Sequence, residues 1–257
     1  MSAGGASSEA CPVCAGPVGN RPVYRLGRWS VHGCASCGHG VTRPVPTPEE
    51  LQAIYDSEAY YDDRGMYRAT LVAADHARAR YLREHFGGAS LLDVGAGVGA
   101  LMAAAAEEGY EVTGTEISVA ARRAARAHHG QEIRSGGFSL EQFAPGERFD
   151  VVTMFHVLEH MAAPLAALEL ARELLHPGGH LFIEVPNREA FGARFPGRTR
   201  RDVFDLPLHF HHFTLRSLTF ALRRVGLEVE SVRPSVPHVL DTLLGAASRG
   251  VRGVRGA

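Results

Sequence analysis

The chain reads as an α/β protein: a doubly wound, mostly parallel sheet with a small N-terminal cysteine-rich module and a helical connector. Three observations predict this. Apolar or β-branched runs near 90–94, 110–116, 131–134, 149–154 and 180–185 alternate with stretches of helical composition, the pattern of right-handed β-α-β units. A glycine-rich turn, Gly95-Ala96-Gly97-Val98-Gly99, directly follows the first run. Two Cys-x2-Cys pairs precede all of it.

A chain of 257 residues with 45% hydrophobic content can bury one full α/β core and leave room for a small accessory module. Net charge is −1, so no broad electrostatic footprint points to nucleic acid or to an anionic surface. All 27 basic residues are arginine, which we read as a trait of genome composition. No apolar run approaches the ~20 residues of a membrane span, and the start lacks a signal-peptide pattern, so a cytoplasmic location without membrane attachment is expected.

The elements follow in order. Residues 1–9 are small and polar and are expected to be disordered. Cys11, Cys14, Cys34 and Cys37 form two knuckles with zinc-ribbon spacing, in which two thiolates from each turn close a tetrahedral Zn2+ site. Between them, 22–26 and 29–32 read as two short strands turning at Gly27, with the metal substituting for a core too small to fold unaided. A disulfide framework is the competing reading and needs an oxidising compartment. The ribbon is placed at 1–45 and the helical connector at 46–88. Thr47 caps a helix with Pro48 in its first turn and Glu50 completing a capping box. A second helix over about 66–85 stops at Gly87-Gly88. The main domain spans 89–235, with a substrate loop at 187–213, and 236–257 is a Gly/Arg-rich tail expected to be disordered.

The chemistry begins at the glycine turn. An apolar strand ending at Val94, glycines that admit close backbone approach, a helix over 101–108 and a carboxylate, Glu116, at the end of the next strand make a nucleoside-cofactor site. Glu116 would accept hydrogen bonds from both ribose hydroxyls. Spacing alone does not choose the cofactor, because Gly95-x-Gly97-x-x-Ala100 also satisfies the dinucleotide pattern of NAD and FAD enzymes.

The surroundings do choose. Asp93 before the first glycine, Phe149-Asp150-Val151-Val152, His156-Val157-Leu158-Glu159-His160 and Leu174-Leu175-His176-Pro177-Gly178-Gly179 form an ordered set. Over roughly 89–230 it resembles the class I S-adenosylmethionine (SAM) dependent methyltransferases, with their Rossmann-like fold. The front end, with Thr47-Pro48-Glu49-Glu50-Leu51 and Tyr60-Tyr61 behind paired knuckles, is similar to bacterial members that carry a zinc ribbon.

The resemblance implies SAM as cofactor. Asp93, Gly95, Ala96 and Gly97 line its methionine end, Glu116 holds the ribose and Ile117 packs on the adenine. Where relatives place an acidic residue for the adenine amino group, this chain has Ser135-Gly136-Gly137-Phe138, so a carbonyl near Gly137 or the Phe138 ring takes that role. Phe155 and His156 face the cofactor from a strand end. A further antiparallel strand is implied after 227–232, for which 235–242 is a poor candidate.

His156-x-x-Glu159-His160 also matches an inverted zinc-protease pattern. That reading is set aside, because related methyltransferases carry a similar Leu-Glu-His; Glu159 and His160 instead fasten the loop beneath SAM. The turn Leu208-His209-Phe210-His211-His212-Phe213-Thr214 resembles the family's histidine-rich entry to its last helix. His209 is the first choice of general base and His156 the second, since an unperturbed imidazole titrates near pH ~6.5; His211 and His212 are assigned to packing. The acceptor is expected to be a small molecule or sugar-containing intermediate, methylated at oxygen, with Arg188, Arg194, Arg198, Arg200 and Arg201 available to hold phosphate or carboxylate. A zinc-ribbon RNA methyltransferase, disfavoured by the near-neutral charge, and a non-catalytic SAM-binding partner protein are the alternatives. The sequence does not fix the oligomeric state.

Overall fold

The computed structural model describes residues 10–47, 49–51, 69–190, 203–235 and 248–256. The expectations for residues 1–9, for Tyr60 and Tyr61, for the loop arginines from Arg194 to Arg201 and for 236–242 lie outside the described residues.

Three strands open the chain: β1 (Val18–Leu26), β2 (Trp29–Cys34) and β3 (Gly40–Arg43). The first two form the expected hairpin about Gly27, whose φ of 58° suits a residue without a β-carbon. The capping box is formed, with Glu50 N donating to Thr47 Oγ1 and Thr47 N to Glu50 Oε2, at 3.3 and 3.0 Å. Helix α1 (Ala69–Phe86) ends at Gly87 and Gly88, both at positive φ.

The main domain runs β4 (Ser90–Val94), α2 (Ala100–Glu107), β5 (Glu111–Glu116), α3 (Val119–His129), β6 (Arg134–Ser135), β7 (Phe149–Phe155), α4 (Pro164–Glu173) and β8 (Leu175–Glu184). A short strand β9 (His211–His212), α5 (Leu215–Arg224), β10 (Leu227–Ser235) and β11 (Ser248–Gly256) complete it. The large sheet has the order β10-β11-β8-β7-β4-β5-β6; its five strands β8, β7, β4, β5 and β6 are parallel, and β11 and β10 pair antiparallel. The chain passes from β6 back across β4 to β7, so the switch point lies between β4 and β7, where open α/β sheets bind ligands at the strands' carboxyl ends.

The sheet's two faces bury separate cores. Ala79 and Leu82 of α1 and Leu101, Ala104 and Ala105 of α2 pack with Leu91, Val151 and Phe182. The larger cluster gathers Leu168 and Ala171 of α4, Leu218 and Leu222 of α5, and Val152, Met154 and Ile183. It continues into the cysteine module through Val13, Val18, Cys11 and Cys37. The module is thus packed on the main domain, and its sheet, β1-β2-β3-β9, takes its fourth strand from the histidine turn: Gly40 pairs with His212 and Val41 with His211.

Two expectations are corrected. The tail is not disordered at 248–256: it supplies the antiparallel strand that 235–242 was a poor candidate for, inserted between β10 and β8 through backbone pairing. The third parallel strand is only two residues, Arg134–Ser135, beginning three positions and ending one position later than expected.

Candidate cofactor and acceptor site

The loop after β4 is shaped by its glycines. Gly95, Gly97 and Gly99 have φ of 68°, 54° and 76°, values that crowd any side chain. A β-carbon on Gly95 would also stand 2.5 Å from Val157 Cγ2, so this turn admits only glycine. Ala96 N donates to Thr115 O and Gly97 N to Glu116 Oε2, both at 3.0 Å, which locks the loop to the end of β5. Glu116 Oε1 accepts from Ser118 N at 2.7 Å, and burial raises its carboxyl pKa against those hydrogen bonds. Arg122 donates to the Glu116 and Ile117 carbonyls, fixing the turn that leaves the Ile117 side chain 51% exposed. An apolar side chain held in solvent beside this glycine loop is available to a ring.

Asp93 is buried beneath the loop, with Oδ1 accepting from Thr153 Oγ1 at 2.7 Å. Burial pushes its carboxyl up to about 7, and the nearby charges of Asp75 and Glu116 act in the same direction. Gly136 N donates to Glu116 O at 3.3 Å. Gly137 has open space around it, whereas the Phe138 ring packs edge-on against Phe143, with centroids 6.0 Å apart.

At the end of β7 the Phe155 ring lies under the Arg78 guanidinium, 4.8 Å from its centroid. His156 sits at φ 57°; its Nε2 is 3.2 Å from Glu184 Oε1 and its Nδ1 3.5 Å from Glu159 Oε1. Burial works against its charge, but the hydrogen bonds and charges of Glu159 and Glu184 outweigh it and raise the imidazole to about 10. Glu184 also accepts from Arg78 through both oxygens at 3.1 Å, and Arg78 reaches Asp75 at 2.7 Å. The chain Asp75, Arg78, Glu184, His156 thus borders the switch point. Sequence reasoning missed Asp75, Arg78, Thr153 and Glu184. Two signals were present: Asp75 and Arg78 one turn apart on a helix, and an acidic residue ending the apolar run Leu181-Phe182-Ile183.

The histidine turn lies between the ribbon and the main domain. His39 Nε2 is 3.0 Å from His211 Nδ1, and Thr42 Oγ1 is 2.9 Å from His212 Nε2 and donates to His209 O at 2.6 Å. Burial lowers His211 to about 4 and takes His39 and His212 well below the usual range, so all three are neutral and pack. His209 is buried, with Nδ1 3.3 Å from Val203 O and Nε2 3.7 Å from Asp205 Oδ2. His156 thus stands at the end of β7, whereas His209 is buried against the His160 ring.

The four cysteines carry free thiols, and their sulfurs all lie within 4.8 Å of one another, Cys11 to Cys37 at 3.7 Å and Cys14 to Cys34 at 3.4 Å. A disulfide needs about 2.05 Å; a tetrahedron of Zn–S bonds near 2.3 Å has edges of about 3.8 Å. Gly16 N donates to Cys14 Sγ at 3.4 Å. Burial pushes Cys11 up to about 11 and Cys37 higher still, whereas at Cys34 backbone hydrogen bonds overcome burial and bring the thiol to about 7. Buried thiols that resist ionisation alone are the kind a dication converts to ligands.

A five-stranded parallel sheet with a glycine loop at its switch point and a carboxylate at the end of the neighbouring strand is the arrangement of the class I SAM-dependent methyltransferase fold. Residues 66–232 match the methyltransferase domain family model, and the chain belongs to that family. It is 32% identical over 154 residues to the ubiquinone biosynthesis O-methyltransferase of Histophilus somni, covering 55% of this chain and 64% of that protein. It is 34% identical over 181 residues to the same-named protein of Xanthomonas euvesicatoria, covering 63% and 73%. The chain thus spans somewhat under two thirds of the first of these relatives. In fold it is similar to a Burkholderia thailandensis 1,6-didemethyltoxoflavin-N1-methyltransferase solved with 1,6-didemethyltoxoflavin and S-adenosylhomocysteine, with a TM-score of 0.59, 21% identity, and 92% of this chain and 99% of that one covered.

Proposed function

We propose that this protein is a SAM-dependent O-methyltransferase of a small-molecule or sugar-containing acceptor, with a structural zinc ribbon docked on its acceptor side. The single observation that carries the reading is the placement of the Glu116 carboxylate against Gly97 N–H at the carboxyl ends of β4 and β5. In this reading Asp93, Gly95, Ala96 and Gly97 hold the methionine end, Glu116 the ribose, exposed Ile117 one face of the adenine, and Gly137 its edge. The ring of Phe138 is already engaged with Phe143, so the open backbone at Gly137 is the better adenine contact. When bound, SAM supplies a methyl group on a sulfonium, already activated for displacement.

The protein then has to position the acceptor and take its proton. His156 stays protonated at neutral pH and enters as a held cation that orders Glu159 and Glu184. His209 is the base: its Nδ1 faces the Val203 carbonyl, which leaves the lone pair on Nε2, and Asp205 stands ready to stabilise the imidazolium. A zinc ion in the ribbon would be held by Cys11, Cys14, Cys34 and Cys37. O-methylation, the activity for which the two ubiquinone-pathway relatives are named, supports oxygen as the accepting atom.

Two substitutions test this. Glu116→Ala should weaken SAM binding by about 1.5–3 kcal/mol, the loss of hydrogen bonds to a charged group. His209→Ala should leave SAM affinity nearly unchanged and lower turnover by about 10²- to 10⁴-fold. Undiminished SAM affinity in the first variant, or near-wild-type turnover in the second, removes the residue from its role.

A further inference from the structure

Arg188 stands where the acceptor segment leaves the main domain, and its guanidinium is turned onto the cysteine module. Nη1 is buried and has no hydrogen-bond partner among the described residues. Burial lowers the pKa of the group, while Glu189, Cys37 and Cys34 act in the opposite direction. Glu189 itself is exposed. A buried cation with so little compensation is costly unless an anion meets it. Because Nη1 is covered, a dissolved phosphate or carboxylate does not reach it.

The guanidinium rests on the hairpin that carries the second knuckle. Gly33 and Gly40 pair across β2 and β3, and in the next residues Cys34 N donates to His39 O at 2.7 Å. A β-carbon on Gly33 would stand 3.3 Å from Nη1 and 3.4 Å from Nη2 of Arg188, and one on Gly40 3.2 Å from Nη1. The glycine pair thus clears a face for the guanidinium, one residue before Cys34. The β-carbon on Gly40 would also lie 2.9 Å from His212 Cβ. Burial keeps the imidazoles of His39 and His212 neutral, so they supply no countercharge. That leaves the sulfurs of the cysteine cluster.

Four thiolates on one dication carry a net charge of −2. We propose that Arg188 is the counter-cation of the metal-loaded four-cysteine site, a positioning residue through which metal in the ribbon holds the acceptor segment. This role rests on the zinc-bearing ribbon proposed above and adds to it the residue that answers its charge. Arg188 N donates to Phe213 O at 2.9 Å, which ties the start of the segment 187–213 to its end. Phe213 in turn shares a core with Cys11 and Cys37. The side chain of Arg188 then anchors this closed base to the second knuckle. Without the metal most of the negative charge is lost to protonation of the thiols, and the guanidinium is left buried with no anion to meet it.

Zinc affinity, measured by competition with a chromogenic chelator, tests the role without SAM or acceptor. Wild-type protein that binds no zinc overturns the ribbon reading and this role with it; the variants test the role alone. Arg188→Met keeps the apolar stem and removes the charge, and should weaken zinc binding by about 10- to 100-fold, the usual cost of losing a group that supports metal ligands from outside. Arg188→Lys keeps the charge without the planar fork and should recover most of that loss. Gly33→Ala, whose β-carbon first meets the Arg188 guanidinium, should weaken zinc binding more than about threefold when Arg188 is present and have no further effect in Arg188→Met. Zinc affinity of Arg188→Met within about threefold of wild type, equal losses in the Met and Lys variants, or a Gly33→Ala effect that is the same in both backgrounds overturns the proposal.

Discussion

Replacing Gly95 with alanine tests how the cofactor loop is built. At φ 68° a β-carbon costs about 1–2 kcal/mol. The same atom would lie 2.5 Å from Val157 Cγ2, 3.2 Å from Cγ1 and 3.5 Å from Cβ. The second methyl and Cβ follow the first, so no simple rotation of Val157 clears the space. Val157 also packs against the larger core, and forcing it away adds about 1–3 kcal/mol. The total, about 2–5 kcal/mol, is drawn either from folding stability or from the loop's bound geometry, where 2 kcal/mol is already about 30-fold in affinity. Calorimetric titration with S-adenosylhomocysteine and urea unfolding of the same samples separate the two. Adding Val157→Ala to Gly95→Ala should restore the steric part and leave the φ cost. Gly95→Ala that binds within about threefold of wild type and unfolds at the same urea concentration would refute the reasoning, since about 0.6 kcal/mol is far below the sum of the steric and backbone costs.

Changing Cys14 and Cys37 together to serine should remove one zinc equivalent and lower the unfolding midpoint of the whole protein, because Val13 and Val18 share a core with Phe213 and Leu218; retained ribbon metal, or a disulfide in anaerobically purified protein, would contradict this. The Asp93 carboxyl is raised in the folded state to about 7, so its protonation contributes stability that is complete below about pH 3.9, the unfolded value, and is lost as pH rises through 7. Asp93→Asn removes that loss while its amide oxygen still accepts from Thr153. The cofactor-free variant should therefore gain in unfolding midpoint relative to wild type between pH 5 and pH 8; a constant difference across that range would count against a buried carboxyl with a raised pKa.

Local pattern made most of the parallel sheet legible. The run Leu91-Leu92-Asp93-Val94, the Thr47 capping box and the Gly87-Gly88 stop announce their structure within a few residues. What escaped depended on distant partners. β11 has Gly and Arg where a strand is expected to show apolar alternation, and it is a strand because β8 and β10 leave a backbone ladder between them. His176-Pro177-Gly178-Gly179 reads as a turn, yet β8 begins before it because Leu175 pairs with Phe149 across a register shift. At the site, Asp93, Gly95, Gly97 and Glu116 are a local motif. Arg78 and Glu184 are 106 residues apart, and His39 and His211 are 172 apart. No periodicity links such pairs, so the charged border of the switch point and the docking of the ribbon on the histidine turn emerge only in three dimensions.

Titration calorimetry of the purified chain against SAM, S-adenosylhomocysteine and NAD tests the central claim most directly, because the glycine loop and Glu116 suit either cofactor class by spacing and the family match favours one. Saturable one-to-one binding of SAM and S-adenosylhomocysteine without measurable NAD binding is the predicted result. Tight NAD binding with none for SAM would contradict the account.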